Sequence, residues 1–165
     1  MADNALPAAI DSLAFSSDGR ALAGRVAVAA LPRLQDSLAD SDGWLRYEVR
    51  GTRDRDGKSW LSVRVVGQVN VVCQRCLAKL EFPVDVRSRL LLVPPGRPWP
   101  DESDEDEFDA IAAEQELALL PLIEDEVLLA LPIAPRHEFC AVQGPTVAEH
   151  EPSPFAVLAK LKKGV

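Results

Sequence analysis

Polar and apolar residues alternate through most of the first half of the chain. In RALAGRVAV, at 20–28, Leu22, Val26 and Val28 fall at even spacing, with Gly24 on the same side, which predicts a strand. Leu31, Leu34 and Leu38 then recur at helical spacing behind Pro32, a residue that suits the first helical position. WLRYEVRG follows, and after the turn signal Asp56-Gly57 comes SWLSVRVVGQVNVV. In the second stretch Leu61, Val63, Val65, Gly67, Val69 and Val71 share one face. KLEFPVDVRSRLLLV, at 79–93, alternates again through Leu80, Phe82, Val84, Val86 and Ser88. Pro83 cannot donate to a ladder, so an edge or a bulge is expected there. One face of each strand is apolar and the other polar, the pattern of an antiparallel sheet with one buried side. Arg64, Arg87 and Arg89 fall on the polar side.

The period then changes. LLPLIEDEVLLAL, at 119–131, places Leu120, Ile123, Val127 and Leu131 on one stripe and predicts the long helix, with Pro132 setting its end. Glu124, Asp125 and Glu126 diverge around that helix and read as a solvated face, not as a carboxylate dyad. SPFAVLAKLKKG predicts a short C-terminal helix, with Ser153 as N-cap and Pro154 in the first turn. Phe155, Leu158, Leu161 and Lys162 form its narrow apolar edge, a candidate partner-binding strip. The expectation is a single α+β domain over 1–165. It has an antiparallel sheet of roughly four to five strands, one long packed helix, and short N- and C-terminal helices. Residues 96–112 are expected to be an acidic flexible loop, 141–152 an irregular linker, and 153–163 the C-terminal helix.

Charge changes this picture locally. The net charge is -8, which by itself argues against a general nucleic-acid binder. Residues 101–109 hold seven acids and no base, whereas residues 46–89 hold ten Lys or Arg against five acids. The predicted sheet is therefore basic inside an acidic chain. Two solvated faces of opposite sign would give the same counts. A basic face that meets RNA phosphates would use Arg64, Arg75, Lys79, Arg87 and Arg89. No apolar run reaches membrane-span length, and the N-terminus lacks a signal-peptide pattern. Three cysteines make no secreted disulfide framework, so a reducing cytoplasm is expected.

The sharpest local signal is CQRC, Cys73 and Cys76, between two predicted strands. A redox CxxC needs a helix after it to lower the thiol pKa, and LAKLEFPV reads as a strand. A metal knuckle fits the context better, and HEFC supplies a second pair at the same spacing, His137 and Cys140. Cys73, Cys76, His137 and Cys140 would make a three-Cys, one-His set for a structural zinc ion. Closing the intervening loop costs about 4 kcal/mol, less than the roughly 10 kcal/mol that structural zinc contributes. Thiols that hold no metal remain the other reading. No G-x-S-x-G, P-loop, G-x-G-x-x-G or H-E-x-x-H occurs, and two histidines offer little acid–base chemistry, so no enzyme is expected.

Four stretches together resemble the YceD family, the large ribosomal RNA subunit accumulation proteins. They are CQRCL at 73–77 with its flanking strands, LPLIEDEVLLALPIAPRH at 120–137, Cys140, and PSPFAVLAKLKK at 152–163. Their order and spacing match as well. The resemblance implies a non-enzymatic role in synthesis, processing or stability of the large-subunit (23S) ribosomal RNA. That role would be exerted by binding RNA or a biogenesis partner, or indirectly through a basic ribosomal or biogenesis protein. Related forms carry a second CxxC pair that looks like a zinc site, where this chain has His137-x-x-Cys140. Many carry an acidic N-cap before the long helix, where this chain has Ala118.

Overall fold

The computed structural model describes residues 6–100 and 108–140. Five strands form the main sheet in the order β2–β3–β4–β5–β6. They are β2 (Ala21–Ala27), β3 (Trp44–Arg53), β4 (Ser59–Val72), β5 (Lys79–Val93) and β6 (Asp109–Ala112), while β1 (Ala9–Ile10) pairs separately with β7 (Leu117–Ala118). The described residues also form two α-helices, α1 (Ser12–Ser17) and α2 (Leu119–Ala130). The α+β class and the long helix agree with the pattern of the sequence.

The alternation has its expected consequence. Leu45, Tyr47 and Val49 of β3, Leu61, Val63 and Val65 of β4, and Val84, Leu90 and Leu92 of β5 are buried together against Leu119, Ile123 and Val127 of α2. Phe15 of α1 and Leu31 and Leu34 close the same core. Each such side chain contributes roughly 1.5–3 kcal/mol of apolar burial. Gly51 lies under α1, where a Cβ would come within 2.5 Å of the Phe15 carbonyl oxygen, so only glycine permits this approach. Pro83 faces Gln68 in an unbroken register, without a bulge. It is tolerated because β6 pairs β5 only across Leu90–Val93, which leaves the outer edge of β5 open at Pro83 among the described residues.

Several expectations need correction. The helical spacing at Leu31–Leu38 produces a 3-10 helix, Pro32–Ser37, not an α-helix. Helix α1 was missed because six residues are too short to show a period. It is held by its caps: the Asp11 carboxylate accepts from the Ala14 N–H at 2.9 Å, and the Ser12 hydroxyl donates to the Glu114 carbonyl at 2.9 Å. The sheet is not wholly antiparallel, since β6 runs parallel to β5. That strand lies inside the expected acidic loop: Ala110 and Ile111 follow the acid run and are enough to continue the ladder. Residues 101–107, 141–152 and the C-terminal helix expected at 153–163 lie outside the described residues.

Glu124 and Glu126 are also not solvated. They are only 2% and 6% exposed. The Glu124 carboxylate accepts from the backbone N–H groups of Arg33 at 2.5 Å and Leu34 at 3.2 Å, so it caps the 3-10 helix from the side of α2. Next to it Asp125 pairs with Arg33. Glu126 accepts from the Ser88 hydroxyl of β5, and burial pushes its carboxyl above the ordinary range. Helix α2 is thus fastened to its neighbours by polar side chains as well as by its apolar stripe. Ala118 does stand at its N-cap without a side-chain bond, and the Leu119 N–H donates to the Ala8 carbonyl instead.

Glu124→Ala leaves two N–H donors at a buried junction without their acceptor. It should destabilise the domain by about 1–3 kcal/mol, read as a lower urea midpoint with an unchanged slope. A loss below roughly 0.5 kcal/mol would mean that the carboxylate is not holding the junction.

Candidate metal centre and nucleic-acid interface

Strands β4 and β5 continue past the end of β3, whose ladder with β4 stops at Gly67. The hairpin therefore projects as a two-stranded arm, with CQRC at its tip. The segment from Leu38 to Asp40 braces the arm. Leu38 bridges Val71, the Ala39 N–H donates to the Asn70 carbonyl at 2.7 Å, and Asp40 accepts from Asn70 at 2.8 Å and pairs with Lys79 at 2.9 Å. At the tip, Leu77 takes a φ of 60°. This tight turn lets the Leu77 N–H reach the Cys73 carbonyl at 2.9 Å and the Cys73 N–H reach the Ala78 carbonyl at 3.0 Å. A left-handed conformation is costly for leucine, so the turn is held by the contacts around it.

The chain beyond α2 returns to this tip. Gln74 donates its N–H to the Pro135 carbonyl at 2.8 Å, and the Arg75 guanidinium donates to the carbonyls of His137 at 3.1 Å and Glu138 at 3.4 Å. These bonds deliver His137 and Cys140. Cys73 Sγ lies 3.6 Å from Cys140 Sγ, and His137 Nδ1 lies 3.3 Å from Cys76 Sγ and 3.9 Å from Cys140 Sγ. The donor atoms of all four residues fall within 4.8 Å of one another. A tetrahedral zinc ion with bonds of about 2.3 Å to sulfur and about 2.0–2.1 Å to nitrogen spaces its donors about 3.5–3.8 Å apart. The four residues fit it. His137 Nε2–H donates to the Lys79 carbonyl at 3.1 Å, the outer contact that leaves Nδ1 as the free lone pair.

The electrostatics agree with this arrangement. Burial pushes the Cys73 thiol up, but the backbone N–H groups of Cys76, His137 and Arg75 outweigh burial and bring it down to about 5. The Ala78 N–H lowers Cys76, yet burial and the neighbouring sulfurs of Cys73 and Cys140 leave it raised. Asp40 is held at about 2, chiefly by the Asn70 and Lys79 hydrogen bonds.

A second feature occupies the open face of the sheet. Arg25 of β2, Arg46 and Arg50 of β3, Arg64 of β4, and Arg87 and Arg89 of β5 all point away from the core. Arg25 is directly opposite Arg46, and Arg64 directly opposite Arg87. Like charges in opposite register destabilise a sheet by a few tenths to about 1 kcal/mol. Asp85 reaches both Arg64 and Arg87, at 3.7 and 3.6 Å, so one carboxylate serves two guanidinium groups. Arg64, Arg87 and Arg89 thus lie on one surface as the alternation implies. Arg75 and Lys79 do not join them: they are engaged at the hairpin tip and its brace. Arg25 was overlooked because it lies outside the basic stretch in sequence, and only pairing with β3 brings it to this face. Phe155, Leu158, Leu161 and Lys162 lie outside the described residues.

These features define a class: a small α+β domain with three cysteines and a histidine gathered at a hairpin tip and a cationic open sheet face. The family described as Large ribosomal RNA subunit accumulation protein YceD matches residues 61–162. The chain belongs to that family. It is similar to the Large ribosomal RNA subunit accumulation protein YceD of Haemophilus influenzae, with 28% identity over 175 residues covering 96% of this chain and 97% of the relative. No solved structure matches it. No helix among the described residues is long and apolar enough to cross a membrane.

Asp40 generates a pH prediction. Its folded pKa lies below the ordinary value of 3.8, so its contribution is complete above about pH 4–5 and is lost as pH falls towards 2. Asp40→Asn should be less stable than the parent at pH 6, and the gap should close between pH 4 and 2 in chemical denaturation. A gap that stays constant across that window would remove the clamp as its cause.

Proposed function

We propose that this chain supports accumulation of large-subunit ribosomal RNA by binding RNA directly through the arginine face of its sheet, with a structural zinc ion at Cys73, Cys76, His137 and Cys140. The observation that supports the RNA reading is the excess of arginine over acid on that face, where Glu48 pairs with Arg50 and Asp85 is shared by Arg64 and Arg87. Six arginines, two pairs of them in opposing register, face Glu48, Glu81 and Asp85 as the acids of the same surface. A face that carries a cost in the free protein is relieved by a polyanion, and RNA phosphates release counterions when arginines replace them. The family name supplies the rRNA context.

The zinc ion would cross-link the hairpin tip to the chain after α2 and fix the loop positions that Arg75 and Gln74 already hold. Four protein ligands would close its coordination, which suits a structural ion and leaves no position for an activated water. The protein is accordingly read as a binding factor and not as an enzyme. Its three thiols, free in the structure, suit the reducing cytoplasm.

Protein purified without chelator should contain about one zinc ion per chain, and Cys76→Ser or His137→Ala should lower that content and the thermal midpoint together. Zinc content near zero, unchanged on refolding with zinc, would end the metal reading. The RNA reading is tested by reversing Arg64, Arg87 and Arg89 to glutamate together. Affinity for ribosomal RNA fragments should fall, and the salt slope should flatten by about 2–3. Unchanged affinity and slope would transfer the role to a protein partner, a basic ribosomal or biogenesis protein.

A further inference from the structure

We propose that the arginine face holds an unpaired RNA nucleotide in the cleft that β4, β5 and Phe108 form, with its phosphate on Arg64 and Arg87 and its base against Arg89. This rests on the RNA reading above and specifies the form of RNA. The cleft has a volume of about 550 Å³ and is lined by Arg50, Arg64, Arg87, Arg89 and Phe108 among others. That lies within the ~300–1,000 Å³ of small-ligand sites. Across the sheet, one row runs Arg50–Ser62–Arg89 and the next Glu48–Arg64–Arg87. The two rows are two residues apart along each strand, roughly 6.5–7 Å. A charged row and a stacking row therefore sit side by side, about one nucleotide apart.

The stacking row is preorganised. The Arg89 guanidinium carbon lies 4.0 Å from the centre of the Trp60 ring. Trp60 is fixed in turn: its indole N–H donates to the Asp54 carboxylate at 2.9 Å, and Phe108 meets it edge-on, at 5.1 Å between ring centres and 88° between planes. Arg89 is exposed above this platform, so its planar group is held over the ring while remaining open to the cleft. Unpaired bases stack on such guanidinium planes. A duplex offers phosphates but keeps its base faces internal, and a purely acidic peptide such as poly-glutamate offers carboxylates, which pair with guanidinium edges, but no ring to cover the open face of Arg89. Of these anions only the unpaired strand uses both rows.

The test is fluorescence anisotropy on the full chain at fixed salt. The probes are a labelled 12-nucleotide RNA without self-pairing and the same RNA annealed to its complement. The single strand should bind at least about tenfold more tightly than the duplex. Arg89→Lys keeps the charge and loses the plane, so it should weaken single-strand binding by at least about fivefold, weaken duplex binding by clearly less, and leave the salt slope unchanged. Arg89 is exposed, and an unaltered thermal midpoint would show that the variant folds. Equal affinity for both probes with Arg89→Lys silent overturns the nucleotide cleft and leaves the arginine-face reading standing. No binding of either probe by the parent chain overturns both. Binding of poly-glutamate where neither RNA binds also overturns both and assigns the face to an acidic protein.

Discussion

The register of the β4–β5 hairpin is the constraint on which the other features depend. Fourteen consecutive residue pairs, from Ser59↔Leu92 to Val72↔Lys79, fix which side chains face α2 and which face outward. A slip of one residue would turn Val63, Val65 and Val84 to solvent and drive Arg64 and Arg87 into the core. The core selects the register strongly, because burying an unpaired guanidinium costs far more than any single contact returns. The same selection creates the arginine face as a by-product of geometry, since Arg64 and Arg87 can only stand opposite each other once the valines are inside. The register also sets the tip: Val72 and Lys79 close the ladder, and the six residues between them make the knuckle that carries Cys73 and Cys76.

The projecting arm is seated by Val69 and Val71, which are buried in the core with Leu80 and Phe82 packed against it. Polar links then place its tip. Asp40, Asn70 and Lys79 brace the arm on one side, while Arg75 and Gln74 hold the returning chain on the other. The return path begins at α2, and α2 is itself placed by Glu124, Glu126 and its apolar stripe. Cys73, Cys76, His137 and Cys140 thus converge because two separate elements are each located by the same sheet. An ion at this point would link residues 61 or more positions apart in sequence, so its binding free energy would be offset in part by the cost of closing that loop.

How much of this was legible in the sequence depends on whether a feature is local or relational. Strands β3, β4 and β5 could be read because their alternation is long, and α2 because its stripe spans more than two turns. The equal spacing in CQRC and HEFC names the four side chains that the fold brings together. Helix α1, strand β6 and the pair β1–β7 could not be read, since two to six residues carry too little periodicity and gain their structure from neighbours. Glu124 was misread for a related reason. Charge predicts exposure unless a specific set of donors awaits the carboxylate, and the Arg33 and Leu34 N–H groups are about ninety residues away in sequence. Arg75 and Lys79 were grouped with the sheet arginines by sequence proximity, whereas pairing at the tip gives them other partners.

The net charge of -8 and the arginine face are compatible because they act over different distances. At physiological salt, charges on an exposed surface are felt over about 8–10 Å, so a ligand on the sheet meets the arginines and their neighbours Glu48 and Asp85, and less of the acid farther away. Away from that face acids outnumber bases, so the rest of the chain carries a net negative charge. The overall charge then weakens non-specific adhesion to nucleic acid, while affinity must come from close contacts at one place. Such a division favours a ligand that makes short-range, shape-dependent contacts over one that is only highly charged. Trp60 and Arg89, fixed beside the arginine pair of Arg64 and Arg87, are the residues on this face equipped to make them.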